Sequence, residues 1–518
     1  MIIKLLVLLS VILSIGCTTL PTHIERTPSQ AFQDSASTTL GQLVAEPARE
    51  HTDESGFMVL DSGKEAFTAR IALADTVERS LDAQYYIWNA DTTGRLLADR
   101  LLRAAERGVR VRLLLDDYGV GNKDNALYAL DTHPQIEVRV YNPFRAGFRS
   151  GLRKWTTFGA GFSRLNRRMH SKTFIADGGF AIVGGRNIGD EYFDARADMN
   201  HRDRDLLATG PVVRAIGEQF DAMWNSDWAI PITALMVFTL SEEAVRERYR
   251  LLRAFADTAA NRPYPLPDTR QDALQLLRSR LDGAIWAPAE FIYNPPAITA
   301  GDEINGAVIA NTLRELAKAA KTDILIESAY FIVTDETLEL VEQLIDRDVK
   351  IRALTNSLST TDVWLIHSGY TRNREEVIRS GVKLYEFRPD AASCRQLVEN
   401  DHHDCKDFKF SLHAKSVVFD RRQVFVGSFN LNPRSRLLNT ETALVVHSPV
   451  LAEQIARDIE ENLQPENSWQ VVINDAGRLE WHARTDGVTS VVSHEPATGM
   501  WTRFKSYIFS FFPVEKYL

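Results

Sequence analysis

The sequence predicts an α/β protein of two tandem, pseudo-twofold-related βαβ domains. Each is read as a mixed, mostly parallel sheet flanked by helices, with an active site at the interface. Three observations carry this. Landmarks recur in the same order about 243 residues apart, strands alternate with helices in each copy, and each copy holds one His-x-Lys pair. At 518 residues the chain exceeds one ordinary domain, and 44% apolar with 25% charged residues is a globular composition. A net charge of −9 argues against coating nucleic acid by general attraction.

The elements follow in chain order. "MIIKLLVLLSVILSIGC" has one early cation, Lys4, and an apolar run from Leu5 to Ile15 that is too short to span a bilayer comfortably. It ends in Gly16-Cys17 and resembles a bacterial lipoprotein signal, with Cys17 as the lipidated residue and Ser14 where leucine is usual. The same resemblance places the chain in the cell envelope, and Thr18 after the cysteine favours the outer membrane, on its periplasmic face. On that resemblance residues 1–17 read as a signal peptide, with a simple membrane anchor or an uncleaved signal as the alternative. The polar stretch 18–55 reads as a flexible tether. The first repeat spans 56–228, an inter-repeat segment broken by "NRPYPLPD" spans 229–300, and the second repeat spans 301–470. An extension, 471–518, ends in the aromatic "MWTRFKSYIFSFFPVEKYL", which suits a membrane interface or a helix packed on the body. Cys394 and Cys405 sit in a polar loop as a disulfide or two idle thiols; a zinc site with His402 or His403 fits no common spacing.

The repeat is specific. His170 to His413 and Asn187 to Asn430 are both offsets of 243, as is Gln84 to Glu327. "RGVRVRLLLDD" pairs with "RDVKIRALTNS" at 240, and "VRVYNPFR" with "VKLYEFRP" at 244. Within a copy, "SLDAQYYIW" is a strand, "GRLLADRLLRAAERG" a helix and "VRVRLLLDD" a buried strand. Residues 169–176 read as a strand that puts His170 and Lys172 on one face, before "DGG" turns the chain back; His413 and Lys415 repeat this, with Asp420 opening the turn. Matching faces brought together across a pseudo-twofold would collect two imidazoles, two ammonium groups and the amides of Asn187 and Asn430. That set suits a tetrahedral phosphoryl group, with one histidine as nucleophile and the other as general acid. The lysines neutralise charge, so the chemistry calls for no metal or cofactor.

"HSKTFIAD…GGRN" and "HAKSVVFD…GSFN" resemble the doubled His-x-Lys-x4-Asp signature of the phospholipase D superfamily. The resemblance covers nearly all of the chain after the tether. It implies a covalent phosphohistidine, with His170 attacking, His413 protonating, and Lys172, Lys415, Asn187 and Asn430 binding phosphoryl oxygens. Asp177 and Asp420 complete the motifs and brace local backbone. It also implies a downstream carboxylate orienting each histidine: Glu441 in the second copy and Asp203 in the first, the latter chosen by strand alignment over Asp198. Gly185 stands where serine is typical, a position that Ser428 keeps in the second copy.

Within the superfamily, "MHSKTFIADGGFAIVGGRNIGDEYFD" and "GSFNLNPRSRLLNTE" look most like bacterial cardiolipin synthases of the C type. This implies phosphatidyl transfer to phosphatidylglycerol, with phosphatidylethanolamine a candidate donor, at a membrane surface reached by the lipid anchor; a helper protein is left open. In "FRSGLRKWTTFGAGFSRLNRR", Arg149, Arg153, Lys154, Arg164, Arg167 and Arg168 read as headgroup attractants, with Trp155, Phe158 and Phe162 entering the interface, or else as a solvated loop. Water as acceptor would make the protein a phospholipase D. A nuclease and a non-catalytic lipid-binding envelope lipoprotein are the remaining readings, and no nucleic-acid partner is expected.

Overall fold

The computed structural model describes residues 24–144, 162–296, 307–393 and 409–511. Cys17, Cys394, Cys405, Arg149, Arg153, Lys154, Trp155 and Phe158 lie outside the described residues. Strand β1 (Ser55–Leu60) leads to a helix at Gly63–Thr76, opened by a reciprocal cap between Ser62 and Glu65. After β2 (Ser80–Ile87), the Asp91 carboxylate accepts from the Gly94 N–H at 3.1 Å and starts a helix at Thr92–Glu106. That helix buries Leu96, Leu97, Leu101 and Leu102 on one face, and Gly108 at φ 91° turns the chain away. β3 (Arg110–Asp116) then lies parallel to β2, and β4 (Ile136–Tyr141) parallel to β3.

After β5 (Arg168–Met169), β6 (Thr173–Ala176) and β7 (Phe180–Gly184) form a hairpin whose turn residues Asp177 and Gly178 have φ of 51° and 59°. β8 (Met199–Arg202) stands apart, while β9 (Asp205–Thr209), β10 (Ala229–Pro231) and β11 (Ile285–Ala287) complete the first sheet in the order β10-β4-β3-β2-β6-β7-β9-β1-β11. The second copy repeats the plan with β12 (Ala289–Tyr293), β13 (Asp323–Ser328), β14 (Lys350–Asn356), β15 (Lys383–Phe387), β16 (Lys409–Leu412), β17 (Lys415–Phe419) and β18 (Gln423–Gly427). It continues with β19 (Asn439–Thr440), β20 (Thr442–Val446), β21 (Ser468–Ile473), β22 (Leu479–Thr485) and β23 (Val488–Val492). Its sheet runs β12-β20-β18-β17-β13-β14-β15-β21-β22-β23.

Both sheets are mixed, but not mostly parallel. Parallel pairing is confined to β2-β3-β4 and β13-β14-β15; the other pairs of the two main sheets are antiparallel. The reason is local: the motif strands return through tight turns, and only antiparallel neighbours can be joined that way.

The expected tether is also corrected from residue 24 onward. The Ser29 and Thr27 carbonyls accept from Arg112 at 3.0 Å and Arg139 at 2.7 Å, and Leu40 is buried in a helix at Thr39–Ala45. Two arginines buried on β3 and β4 need more acceptors than Asp82, Asp221, Glu137 and the Trp224 carbonyl provide, and this polar segment supplies the rest.

One apolar cluster spans both copies, with Ile175, Val183, Leu206 and Trp224 from the first and Leu325, Val418, Val426 and Ile455 from the second. Two short parallel ladders cross the same interface, β5 with β19 and β8 with β16. Beside them lies an ion cluster. Buried Arg204 donates to Asp61 at 2.8 Å, to Glu327 at 2.6 Å, to the Ser416 hydroxyl at 2.9 Å and to Asp458, while Arg202 reaches Asp458 at 2.6 Å. Glu327, Ser416 and Asp458 belong to the opposite copy. Arg204→Ala strands these carboxylates in the interface and is expected to lower unfolding free energy by about 3–5 kcal/mol in a denaturant titration.

Candidate active site

The crossed ladders deliver the two His-x-Lys pairs to one place. His170 follows β5 and His413 follows β16, each in the break between a ladder strand and its main sheet, so the expected continuous strand 169–176 is interrupted there. The His170 N–H donates to the Thr440 carbonyl at 2.8 Å, and the His413 N–H to the Arg202 carbonyl at 2.7 Å. Thr440 and Arg202 immediately precede Glu441 and Asp203, so each ladder carries one copy's histidine to the other copy's carboxylate.

The contacts are made accordingly. His170 Nδ1 lies 2.8 Å from Glu441 Oε2, and His413 Nδ1 lies 2.5 Å from Asp203 Oδ2. The pairing expected within each copy is therefore exchanged: Asp203 serves His413 and Glu441 serves His170. Asp198, the competing choice, bonds Arg196 at the surface. With Nδ1–H donated to a carboxylate, each ring turns its Nε2 lone pair outward.

The two carboxylate seats differ. Glu441 also accepts from Ser428 Oγ at 2.5 Å, Ser435 Oγ at 2.8 Å and Asn439 Nδ2 at 3.2 Å. Asp203 accepts from the Arg204 N–H at 2.8 Å. A Cβ at Gly185 would stand 2.1 Å from Asp203 Oδ1, so the glycine is the room that the shorter carboxylate occupies. The sequence suggested only a missing hydroxyl.

Burial lowers the His170 pKa to about 4 and that of His413 to about 3, with the neighbouring lysines adding to the effect. Burial likewise brings Lys172 down to about 7 and Lys415 to about 8. Burial would raise the Glu441 carboxyl, but His170, Lys172 and Ser428 hold it below its usual value. Asp203 is held below the usual range, against burial, by His413, Lys415 and Arg186. Both ammonium groups donate to the carbonyl of their own motif's histidine.

Asn187 and Asn430 are buried beside this centre. Asn187 Oδ1 accepts from the Ile87 N–H at 3.1 Å, whereas Asn430 Oδ1 has no hydrogen-bond partner among the described residues. Asp177 and Asp420 are elsewhere, about 20 Å of extended chain beyond the histidines. Asp177 accepts the Glu78, Arg79 and Ser80 N–H groups, and Asp420 those of Lys321, Thr322 and Asp323. Among the expected headgroup attractants, Arg168 is buried against Asp116 at 3.1 Å and Arg164 bonds Asn142 and the Pro143 carbonyl. Both are spent on the loop's own backbone and its neighbours. Among the described residues no group of three or more His, Cys, Asp or Glu is placed to hold a metal.

Sequence reasoning missed three rings. Tyr86 meets His170 edge-on at 5.0 Å, Tyr192 meets His413 at 5.2 Å, and His201 lies 5.3 Å from His413. His201 was findable, because it stands two residues before Asp203 at the end of β8.

Residues 70–224 and 313–463 match the family described as "Cardiolipin synthase, PLD-like domain". The chain belongs to the PLD-like cardiolipin synthase family. It is 37% identical to cardiolipin synthase C of Escherichia coli over 479 residues, 92% of this chain and 99% of that protein. It is 24% identical to cardiolipin synthase A of Pseudomonas putida over 407 residues, 78% of this chain and 68% of that one. A solved phosphatidylserine synthase from Haemophilus influenzae shares the fold, with a TM-score of 0.55 at 13% identity over 92% of this chain and 99% of that one. Membership makes this PLD-like cardiolipin synthase family protein an enzyme of the phospholipase D type, and the two matched stretches are its two repeats.

Two predictions follow for the site. Gly185→Ser drives a Cβ into Asp203 and is expected to cut kcat about 100-fold with an unchanged circular dichroism spectrum, whereas Ser428→Ala removes one of four donors and costs about tenfold. Because both imidazoles are buried neutral, the unfolded chain takes up protons that the folded one refuses as pH falls below about 6.5. Melting temperature should therefore fall between pH 6.5 and 4, and less steeply in the His170→Gln, His413→Gln double variant.

Proposed function

We propose that the enzyme makes cardiolipin by transferring a phosphatidyl group to the free hydroxyl of phosphatidylglycerol through a phosphohistidine. One observation carries the reading: two neutral, buried histidines, each held at Nδ1 by a carboxylate of the other copy. Family membership and the near full-length similarity to cardiolipin synthase C support it.

In this mechanism His170 Nε2 attacks the donor phosphorus. The N–P bond forms, the P–O bond to the leaving alcohol breaks, and His413 Nε2–H gives that oxygen its proton. The phosphatidylglycerol hydroxyl then attacks the same phosphorus, losing its proton to His413 as the N–P bond breaks. Lys172, Lys415, Asn187 and Asn430 hold the phosphoryl oxygens and offset the added negative charge. His413 is neutral at rest, so it must gain its proton with the substrate. A phosphodiester anion among two ammonium groups and two imidazoles favours the protonated form of each. The donor is phosphatidylglycerol or phosphatidylethanolamine, and lipidation at Cys17 holds the enzyme on the periplasmic face of the outer membrane.

Purified enzyme given phosphatidylglycerol, alone and with phosphatidylethanolamine, should yield cardiolipin by mass spectrometry. Phosphatidic acid as sole product would instead make water the acceptor. His170→Ala should abolish turnover of every substrate. His413→Ala should lose about 100- to 10,000-fold on natural lipids, yet retain most of the first-turnover burst of p-nitrophenol from a p-nitrophenyl phosphodiester, whose leaving group needs no proton. Equal losses on both substrates would reverse the two roles.

A further inference from the structure

The helix at Met500–Phe509 is seated apolar side out. Met500, Phe504, Tyr507 and Phe511 recur at i, i+4, i+7 and i+11, which is one stripe of a helix. They are 81%, 52%, 63% and 64% exposed, and Trp501 beside them is 66% exposed. The inward face carries Ser506, the one buried residue of the helix, whose hydroxyl lies 3.4 Å from that of Ser368 on the helix Trp364–Arg379. A helix stabilised only by packing on its own protein would present the opposite face, because apolar area left in water forfeits about 25 cal/mol per Å².

The chemistry of the stripe selects its partner. Residues 496–511 hold Arg503 and Lys505 and no acidic residue. The Lys505 ammonium lies over the Trp501 ring at 5.5 Å. Tryptophan and tyrosine with an apolar body and a polar tip, flanked by cations on flexible stems, suit the headgroup level of an anionic bilayer. A protein partner of ordinary composition would leave those cations unmatched.

The helix also packs on a segment that leads toward the histidine site. Trp364, itself 40% exposed, meets Phe509 edge-on at 4.9 Å. Two residues earlier, Asp362 accepts from the Tyr330 hydroxyl at 2.8 Å, and its charge reaches Lys415 and His201. The segment 362–364 thus meets the helix at Trp364 and places the Asp362 charge within reach of Lys415.

We propose that the Met500–Phe509 helix, with Phe511 and Trp364, forms a membrane-docking face that lies on an anionic bilayer and brings the mouth of the histidine site to the headgroups. The proposal rests on phospholipids being the substrates, and it is distinct from anchoring at Cys17. The four stripe side chains and Trp501 are all exposed, so their removal leaves the fold intact.

The full-length triple variant W501A/F504A/Y507A is compared with the wild type on phosphatidylglycerol vesicles and on monomeric short-chain phosphatidylglycerol in solution. Vesicle turnover should fall at least tenfold while short-chain turnover stays within twofold. Unchanged vesicle turnover overturns the proposal, and so does an equal fall on both substrates, which would make the helix merely structural. A binding readout separates this from failure of the catalytic reading. Vesicles of brominated phosphatidylglycerol should quench the tryptophan fluorescence of the wild type and of His170→Ala alike, and Trp501→Phe should remove part of that quenching. Quenching unaffected by Trp501→Phe would place the helix away from lipid.

Discussion

The crossed pairing of each histidine with the other copy's carboxylate is the constraint on which the rest depends. A buried imidazole must give its Nδ1–H to something, and a buried carboxylate must receive donors, or each costs several kcal/mol. Here each imidazole finds its carboxylate across the interface, and the β5–β19 and β8–β16 ladders are the backbone that enforces it. The shared apolar cluster then keeps water from competing with those bonds. The lowered imidazole pKa values are a direct result, since burial is their largest cause.

Much of this was legible in the residues because duplication makes a pattern its own control. His170 and His413, Lys172 and Lys415, and Asn187 and Asn430 were identifiable by offset, and alternation gave the parallel cores β2-β3-β4 and β13-β14-β15. Strand alignment picked Asp203 over Asp198, and the Asp203 carboxylate does meet a histidine, but His413 rather than the His170 of its own copy. What one copy cannot reveal is which copy completes it, so the exchange of partners was invisible. Tyr86, near the end of β2, and Tyr192, in a short helical turn at Asp190–Tyr192, were hidden for another reason: such rings read as ordinary core.

The segment before residue 55 shows a second limit of pattern reading. It has little apolar periodicity, yet its carbonyls complete the acceptor sets of Arg112 and Arg139, beside Asp82, Asp221, Glu137 and the Trp224 carbonyl. Buried arginines export their requirements to whatever backbone is nearest, and hydropathy does not register acceptors. Arg168 made the complementary error. In sequence it belongs to a basic loop, but an ion pair with Asp116 takes it out of solvent.

Gly185 and Ser428 have a consequence for how such a protein can diverge. In a symmetric dimer of single-motif chains, both carboxylate seats must carry identical residues, so any change in one is imposed on the other. Joining the two copies in one polypeptide removes that tie. One seat holds a long acid gripped by four side-chain donors, and the other a short acid fitted into the space beside a glycine. Two histidines of the same ancestry can thereby acquire separate chemical identities, as a reaction with distinct attacking and proton-giving partners requires.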